Sequence, residues 1–188
     1  MNYSVFSMQL VMELQGENDP TYRELHKIIR SSPERTNYAQ MHDFYGRICS
    51  VLRRQVNRFE MGVWDYWDDP SRAPRDFQDW VDGLQGKEAR SQPAPEDGTP
   101  RYLACTLALL LQNGSTSDQR LGQHCDIPEA KLWTRGTFQH LLKGPALLNF
   151  LHVKSDVVYL LPGDDPACGL TKEDLSGKNF HYLRQLTA

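Results

Sequence analysis

Four groups of residues in this chain have types and spacings that can do chemistry. The first is His124-Cys125-Asp126, set between Leu121 and Ile127. A histidine can draw the proton from a cysteine and leave a thiolate nucleophile, provided the two side chains meet in space. Neighbours on a helix point about 100° apart, and no oxyanion-donor motif accompanies the pair. The expectation is therefore a structural cysteine beside a surface histidine, with a Cys/His-dependent hydrolase the least favoured reading. The second group is acidic. Asp65, Asp68, Asp69 and the downstream Asp76 stand around Trp64 and Trp67. Paired carboxylates bind Mg²⁺ or do acid–base work. Asp-x-x-Asp-Asp alone is a weak signal, however, and the chain has no glycine-rich phosphate cradle, so a solvated acidic loop is the simpler expectation.

The third group is basic. Arg47, Arg54 and Arg58 recur at steps of seven and four, which places them on one face of a continuous helix, with Arg53 adjacent. Such a stripe grips phosphates or docks an acidic segment, either the one that follows in this chain or one on a partner. The fourth group is the six histidines. None has the HExxH spacing and none stands beside a CxxC, and His42 next to Asp43 reads as an exposed helix position. No metal or other cofactor is expected.

One further pattern points to nucleic acid. The segment Leu121-Gly122-Gln123-His124-Cys125-Asp126-Ile127-Pro128 resembles the turn of a helix-turn-helix, and Val153–Leu161 would serve as a wing. Against a winged-helix regulator, the recognition segment Glu129 to His140 offers only Lys131 and Arg135 as cations. The chain also carries 21 Lys and Arg against 24 Asp and Glu, a net charge of −3, which does not suit a general nucleic-acid binder.

The elements that would hold these groups follow from hydrophobic period. Phe6, Met8, Leu10, Met12 and Leu14 alternate with Ser7, Gln9 and Glu13, the pattern of a strand with one buried face. Asp19-Pro20 is a helix start, Asp as cap and Pro at the first turn. The helix it opens buries Tyr22, Leu25, Ile28 and Ile29. A longer helix capped by Thr36 or Asn37 carries Met41, Tyr45, Ile48, Leu52, Val56 and Phe59 as its stripe and runs into the cluster Trp64, Tyr66 and Trp67. Residues 65–99 form an acidic excursion containing one short helix around Phe77, Trp80, Val81 and Leu84, and Gly86 to Gly98 has little to bury and reads as a mobile loop. Tyr102 to Leu111 is a continuous apolar run whose period does not separate strand from helix. A helix through Leu132, Trp133, Phe138, Leu141 and Leu142 precedes a strand over Leu147 to Leu161 that ends at Pro162-Gly163. Leu170-Thr171-Lys172-Glu173-Asp174-Leu175 has the form of a capped helical turn.

The strand in Val5–Leu14, the long capped helix, the strand Tyr102-Leu103-Ala104-Cys105-Thr106-Leu107-Ala108-Leu109, and Leu160-Leu161-Pro162 followed by Leu170-Thr171-Lys172-Glu173-Asp174-Leu175 together resemble the soluble part of a cyanobacterial and chloroplast family, domain of unknown function 1517. The resemblance covers most of the chain outside the acidic excursion. It implies a strand-helix-helix-strand-helix-strand order and a link to photosynthetic physiology. It transfers no catalytic residue. The chain departs from the family in lacking the membrane or glycine-rich stretch that precedes the domain, and in having Gly62-Val63-Trp64-Asp65-Tyr66-Trp67 where the family has a Tyr-Trp-Val-Tyr-like cluster.

These readings converge on one α+β domain over residues 1–188, with a small mixed sheet of about three or more strands packed with helices. No apolar run reaches 18 residues and the first residues lack a secretory pattern, so a cytoplasmic location is expected. Cys49, Cys105, Cys125 and Cys168 are irregularly spaced and are expected as reduced thiols. The functional expectation is a non-enzymatic interaction or regulatory protein. It would engage another protein through Trp64, Tyr66 and Trp67 as aromatic anchors and Arg47, Arg54 and Arg58 as a charged rim. Whether the chain associates with itself is left open.

Overall fold

The computed structural model describes residues 2–16, 18–85, 100–161, 163 and 169–188. The expected mobile loop at 86–98 and Cys168 lie outside the described residues. Five strands, β1 (Tyr3–Glu13), β2 (Phe59–Trp67), β3 (Tyr102–Gln112), β4 (Val153–Leu161) and β5 (Arg184–Gln185), form one sheet in the order β4-β3-β1-β2-β5. All four pairings are antiparallel, where a mixed sheet was expected. Among the described residues six α-helices accompany them: α1 (Pro20–Arg30), α2 (Tyr38–Arg54), α3 (Ala73–Gln85), α4 (Thr116–His124), α5 (Arg135–Leu141) and α6 (Lys172–Ser176). The fold class is α+β, as expected.

Both faces of the sheet are covered. Phe6, Met8, Leu10 and Met12 of β1 join Leu103, Leu107, Leu109 and Leu111 of β3 in the main core, together with Leu25 of α1, Phe44, Ile48 and Leu52 of α2, Leu121 of α4 and Phe138 of α5. The opposite face carries two smaller apolar clusters. One holds Val5, Ala108 and Leu110 against Ala73 and Phe77 of α3. The other holds Val11, Tyr102 and Ala104 against Leu170, Leu175, Phe180 and Leu183 of the C-terminal segment. This double cover explains the run Tyr102–Leu111. It is a central strand buried on both sides, and such strands lose alternation.

The long helix is shorter than its apolar stripe suggested. α2 ends at Arg54, a 3₁₀ turn spans Val56–Arg58, and Phe59–Trp67 is strand β2. The stripe continued past the helix because Phe59, also buried, serves the same core from the strand. β5, which sequence periodicity had not indicated, covers part of the β2 edge through Met61↔Gln185 and Gly62↔Arg184. No helix among the described residues is long and apolar enough to cross a membrane.

One ion pair ties three junctions together. Asp19 caps α1, accepting from the backbone N–H of Thr21 at 2.8 Å and of Tyr22 at 3.1 Å. Its side chain is fully buried and pairs with Arg58 at 2.5 Å. The same guanidinium donates to the Glu13 carbonyl at 2.7 Å and to Thr21 Oγ1 at 3.0 Å. The end of β1, the start of α1 and the α2–β2 turn are thereby held at one point. Burial raises the Asp19 pKa, but the hydrogen bonds from Arg58, Gln15 and Tyr22 outweigh it and hold the carboxyl below its usual value. The stability from this group is thus present above the ordinary carboxylate range and fades as pH falls toward the lowered pKa. Arg58→Ala should cost roughly 3 kcal/mol at neutral pH, because it strands a buried charge. It should also flatten the acid-side loss of stability seen in denaturant melts from pH 7 down to 3.

Candidate functional site

The six residues nominated as a partner surface do not share one surface. Trp64 and Tyr66 alternate with Asp65 and Trp67 along β2, so they point to opposite faces of the sheet. On a helix Trp64 and Trp67 would have shared a face, and on the strand they cannot. Trp64 packs on the main core and donates its indole N–H to the Leu132 carbonyl at 3.1 Å. Tyr66 lies on the same side, its hydroxyl donating to Asp118 Oδ1 at 2.7 Å, and burial pushes the phenol pKa well up. Trp67 is 36% exposed. The arginines are separated as well, since Arg58 lies beyond the end of α2. Each has an intramolecular partner: Arg47 pairs with Asp43, Arg54 with Glu24, and Arg58 with Asp19.

The residues with chemical potential meet elsewhere, on the second face of the sheet between its two apolar clusters. Ser7 and Gln9 of β1 point there and are 2% and 1% exposed. The alternation that suggested a solvated face is in fact a buried polar belt. Ser7 stands opposite Asp65 of β2, and Gln9 stands opposite Thr106 of β3, which in turn faces Tyr159 of β4. Gln9 Nε2 donates to Thr106 Oγ1 at 2.7 Å, and the Tyr182 hydroxyl donates to Gln9 Oε1 at 3.1 Å. The Tyr159 hydroxyl donates to the Trp80 carbonyl at 3.1 Å. Above this floor lies a cavity of about 780 Å³. Its walls are Trp67 from β2, Asp76, Asp79 and Trp80 from α3, and Tyr182 from the C-terminal segment.

Two carboxylates of the acidic run are brought together here. Asp65 and Asp76 both line the cavity, while Asp68 and Asp69 do not. Burial pushes the Asp65 pKa up, and the negative charge of Asp76 adds to the shift. Hydrogen bonds from the Trp67 indole and the Tyr66 backbone N–H act in the other direction. Oδ2 of Asp76 is out of solvent and has no hydrogen-bond partner among the described residues. Arg72 is the cation at the rim among the described residues, its guanidinium 4.3 Å above the Trp67 ring. Sequence reasoning placed Asp65 and Asp76 in one acidic group. It missed Gln9, Thr106, Tyr159 and Tyr182, which are far apart in the chain and meet only through sheet register.

The other chemical groups are built differently. Burial pushes the Cys125 thiol up to about 12, so it stays protonated at neutral pH. The His124 ring stacks on His140 with centroids 3.8 Å apart, and each ring's Nε2 donates to the other residue's backbone carbonyl, at 2.9 and 3.0 Å. Burial holds the His124 pKa down. Cys49 and Cys105 are also buried free thiols. His42 is exposed and contacts the Ala146 carbonyl at 3.2 Å. No three His, Cys, Asp or Glu side chains among the described residues are grouped to hold a metal ion. The segment weighed as a wing, Val153–Leu161, is the β4 edge of the main sheet, and Arg135 donates inward to the Phe59 carbonyl at 3.0 Å.

No protein-family model matches the sequence, and neither a curated protein nor a solved structure is significantly similar to it.

Trp64 and Trp67 should separate in stability measurements. Trp64→Ala removes a core contact and should cost roughly 3 kcal/mol, whereas Trp67→Ala should cost below about 1 kcal/mol. Asp65 has a raised folded pKa, so it favours the fold at low pH and loses that contribution as pH rises through the raised value. Asp65→Asn should therefore raise Tm at pH 8 and leave it nearly unchanged at pH 3.5, measured by thermal denaturation across that range.

Proposed function

We propose that this chain is a non-enzymatic recognition protein whose binding site is the cavity on the second face of the sheet. The observation that carries this reading is the buried polar belt. Gln9, Thr106 and Ser7 interrupt a surface that apolar residues would close, and Asp65 and Asp76 bring carboxylates into a part-buried place. Burying polar groups is unfavourable unless they are hydrogen-bonded, and a concave site with aromatic walls and a few converging polar groups is the usual form of a ligand site. Trp67, one of the aromatic anchors nominated from the sequence, belongs to this site. The arginine stripe is engaged within the chain and is the weaker basis for an interface. The resemblance to domain of unknown function 1517 adds no site residue to this reading.

A second reading is favoured by one observation, the raised pKa of Asp65 beside Asp76. Perturbed carboxylate pairs in clefts are also the mark of acid–base catalysts. The two readings share a cavity and differ in whether the occupant is changed.

The test is a thermal-shift screen of small charged, hydroxylated and aromatic compounds on the wild type, Ser7→Leu and Arg54→Ala. Ser7→Leu narrows the cavity floor with an apolar side chain. A ligand at one hundred times its Kd should stabilise the fold by about 2.7 kcal/mol. Stabilising compounds should lose their effect on Ser7→Leu and retain it on Arg54→Ala. The reading fails if no compound stabilises the wild type, or if the stabilisation survives Ser7→Leu and depends on Arg54.

A further inference from the structure

The charge and ring placement in this cavity point to one class of occupant. Resting on the cavity being the binding site, we propose that it takes an organic cation, an ammonium or guanidinium group, held between the carboxylates of Asp65 and Asp76 and the indole walls of Trp67 and Trp80.

Among the described residues the lining carries three carboxylates, Asp65, Asp76 and Asp79, against one guanidinium, Arg72. An anionic ligand would meet repulsion from all three. A neutral polyol would leave the charge uncompensated. The carboxylate of Asp76 is not satisfied from within, since its Oδ2 finds no donor among the described residues. A buried acceptor without a donor is unfavourable until one arrives, and a cation supplies both donor and charge.

The aromatic side of the site has the matching property. Indole rings attract cations over their faces through the ring quadrupole. Arg72 already does this within the molecule, sitting 4.3 Å over Trp67. Trp80 meets Tyr182 edge-on, with centroids 5.8 Å apart and the planes at 80°. Tyr182 is in turn fixed by its bond to Gln9. The polar belt thus holds one wall of the cage.

The groups facing Asp65 set the pH dependence. Among the described residues these are Asp76, Asp79 and Arg72 from the α3 side, the Trp67 indole on its own strand, the uncharged hydroxyls of Ser7, Tyr159 and Tyr182 across the floor, and the protonated Cys125 thiol. The tyrosines stay neutral at physiological pH, with Tyr182 pushed up to about 12 by burial. Cation binding should therefore strengthen as pH rises through the titration of Asp65 and then level off.

The cation can be a free small amine or the lysine or arginine side chain of a protein partner. Isothermal titration distinguishes these. The probes are agmatine and cadaverine as free cations, and a blocked Gly-Lys-Gly peptide as a side chain on a backbone. The controls are 1,5-pentanediol, the neutral analogue of cadaverine, and glutarate, the anionic one. Cadaverine should bind at least about tenfold more tightly than the diol, the factor expected for a charge-assisted hydrogen bond, and glutarate should not bind. Asp76→Asn should weaken the cation about tenfold or more, and Arg72→Ala should tighten it or leave it unchanged. Preference for the peptide over cadaverine identifies a protein side chain, and the reverse identifies a free amine. The proposal is overturned if the diol or glutarate binds as well as cadaverine, or if Arg72→Ala abolishes cation binding. Either result leaves the cavity as a site for another ligand. If no probe binds while the screening compounds still stabilise the wild type and not Ser7→Leu, the cation class fails and the cavity reading stands.

Discussion

The amide of Gln9 sits in a polar belt between two apolar clusters on one sheet face, and it is 1% exposed. A buried amide must find both donor and acceptor partners, or it opposes folding by several kcal/mol at the upper end of its range. Gln9 finds them in Thr106 and Tyr182. The first partner lies on the neighbouring strand and the second on the C-terminal segment, 173 residues away in the chain. That bond joins the C-terminal segment to the sheet beside the apolar cluster of Leu170, Leu175, Phe180 and Leu183. It also keeps the α3 cluster and the C-terminal cluster apart, because the belt between them is polar. The cavity is the space that this separation leaves.

The same residues show what the sequence could and could not convey. The alternation of β1 was legible, and so was the identity of its core face. Its meaning on the other face was not. Ser7 and Gln9 in alternation with large apolar residues signal a solvated face when one strand is considered alone. Only the cover by α3 and the C-terminal segment turns that face into a cavity floor. The caps of α1 and α6 were legible because they are local: Asp19-Pro20 for one, and for the other a capping box between Thr171 and Asp174. The break between α2 and β2 was not, because Phe59 continues the helical spacing and is buried for a different reason. A continued helix would put Trp64 and Trp67 on one face, whereas the strand sends one to the core and the other to the cavity.

Charge pairing followed a similar course. A run of arginines on one surface invites a partner outside the molecule. Here Arg58 secures the cap of α1 from the next turn of chain, and Arg54 reaches Glu24 of α1 with both of its carboxylate oxygens at 2.8 Å. Neither glutamate nor aspartate spacing in the sequence announced these pairs, because they depend on α1 and α2 packing side by side. The acidic run behaved in the opposite way. It was expected as solvated loop, and two of its members line a cavity whose described lining residues carry more negative than positive groups.

The central claim is that the polar belt exists to make a site rather than to hold the fold. It is tested most directly by replacing the network as a unit. In the triple variant Gln9→Leu, Thr106→Val, Tyr182→Phe the Gln9 amide and both of its partners are exchanged for apolar groups of similar size, and the Tyr159 hydroxyl, which also meets Thr106, keeps its bond to the Trp80 carbonyl. Denaturant unfolding of this variant, paired with cadaverine titration, reads both consequences. The expected result is a stability within about 1 kcal/mol of the wild type or above it, with cation binding lost. A loss of roughly 3 kcal/mol or more with binding retained would show that the belt is structural and that the cavity beside it is incidental.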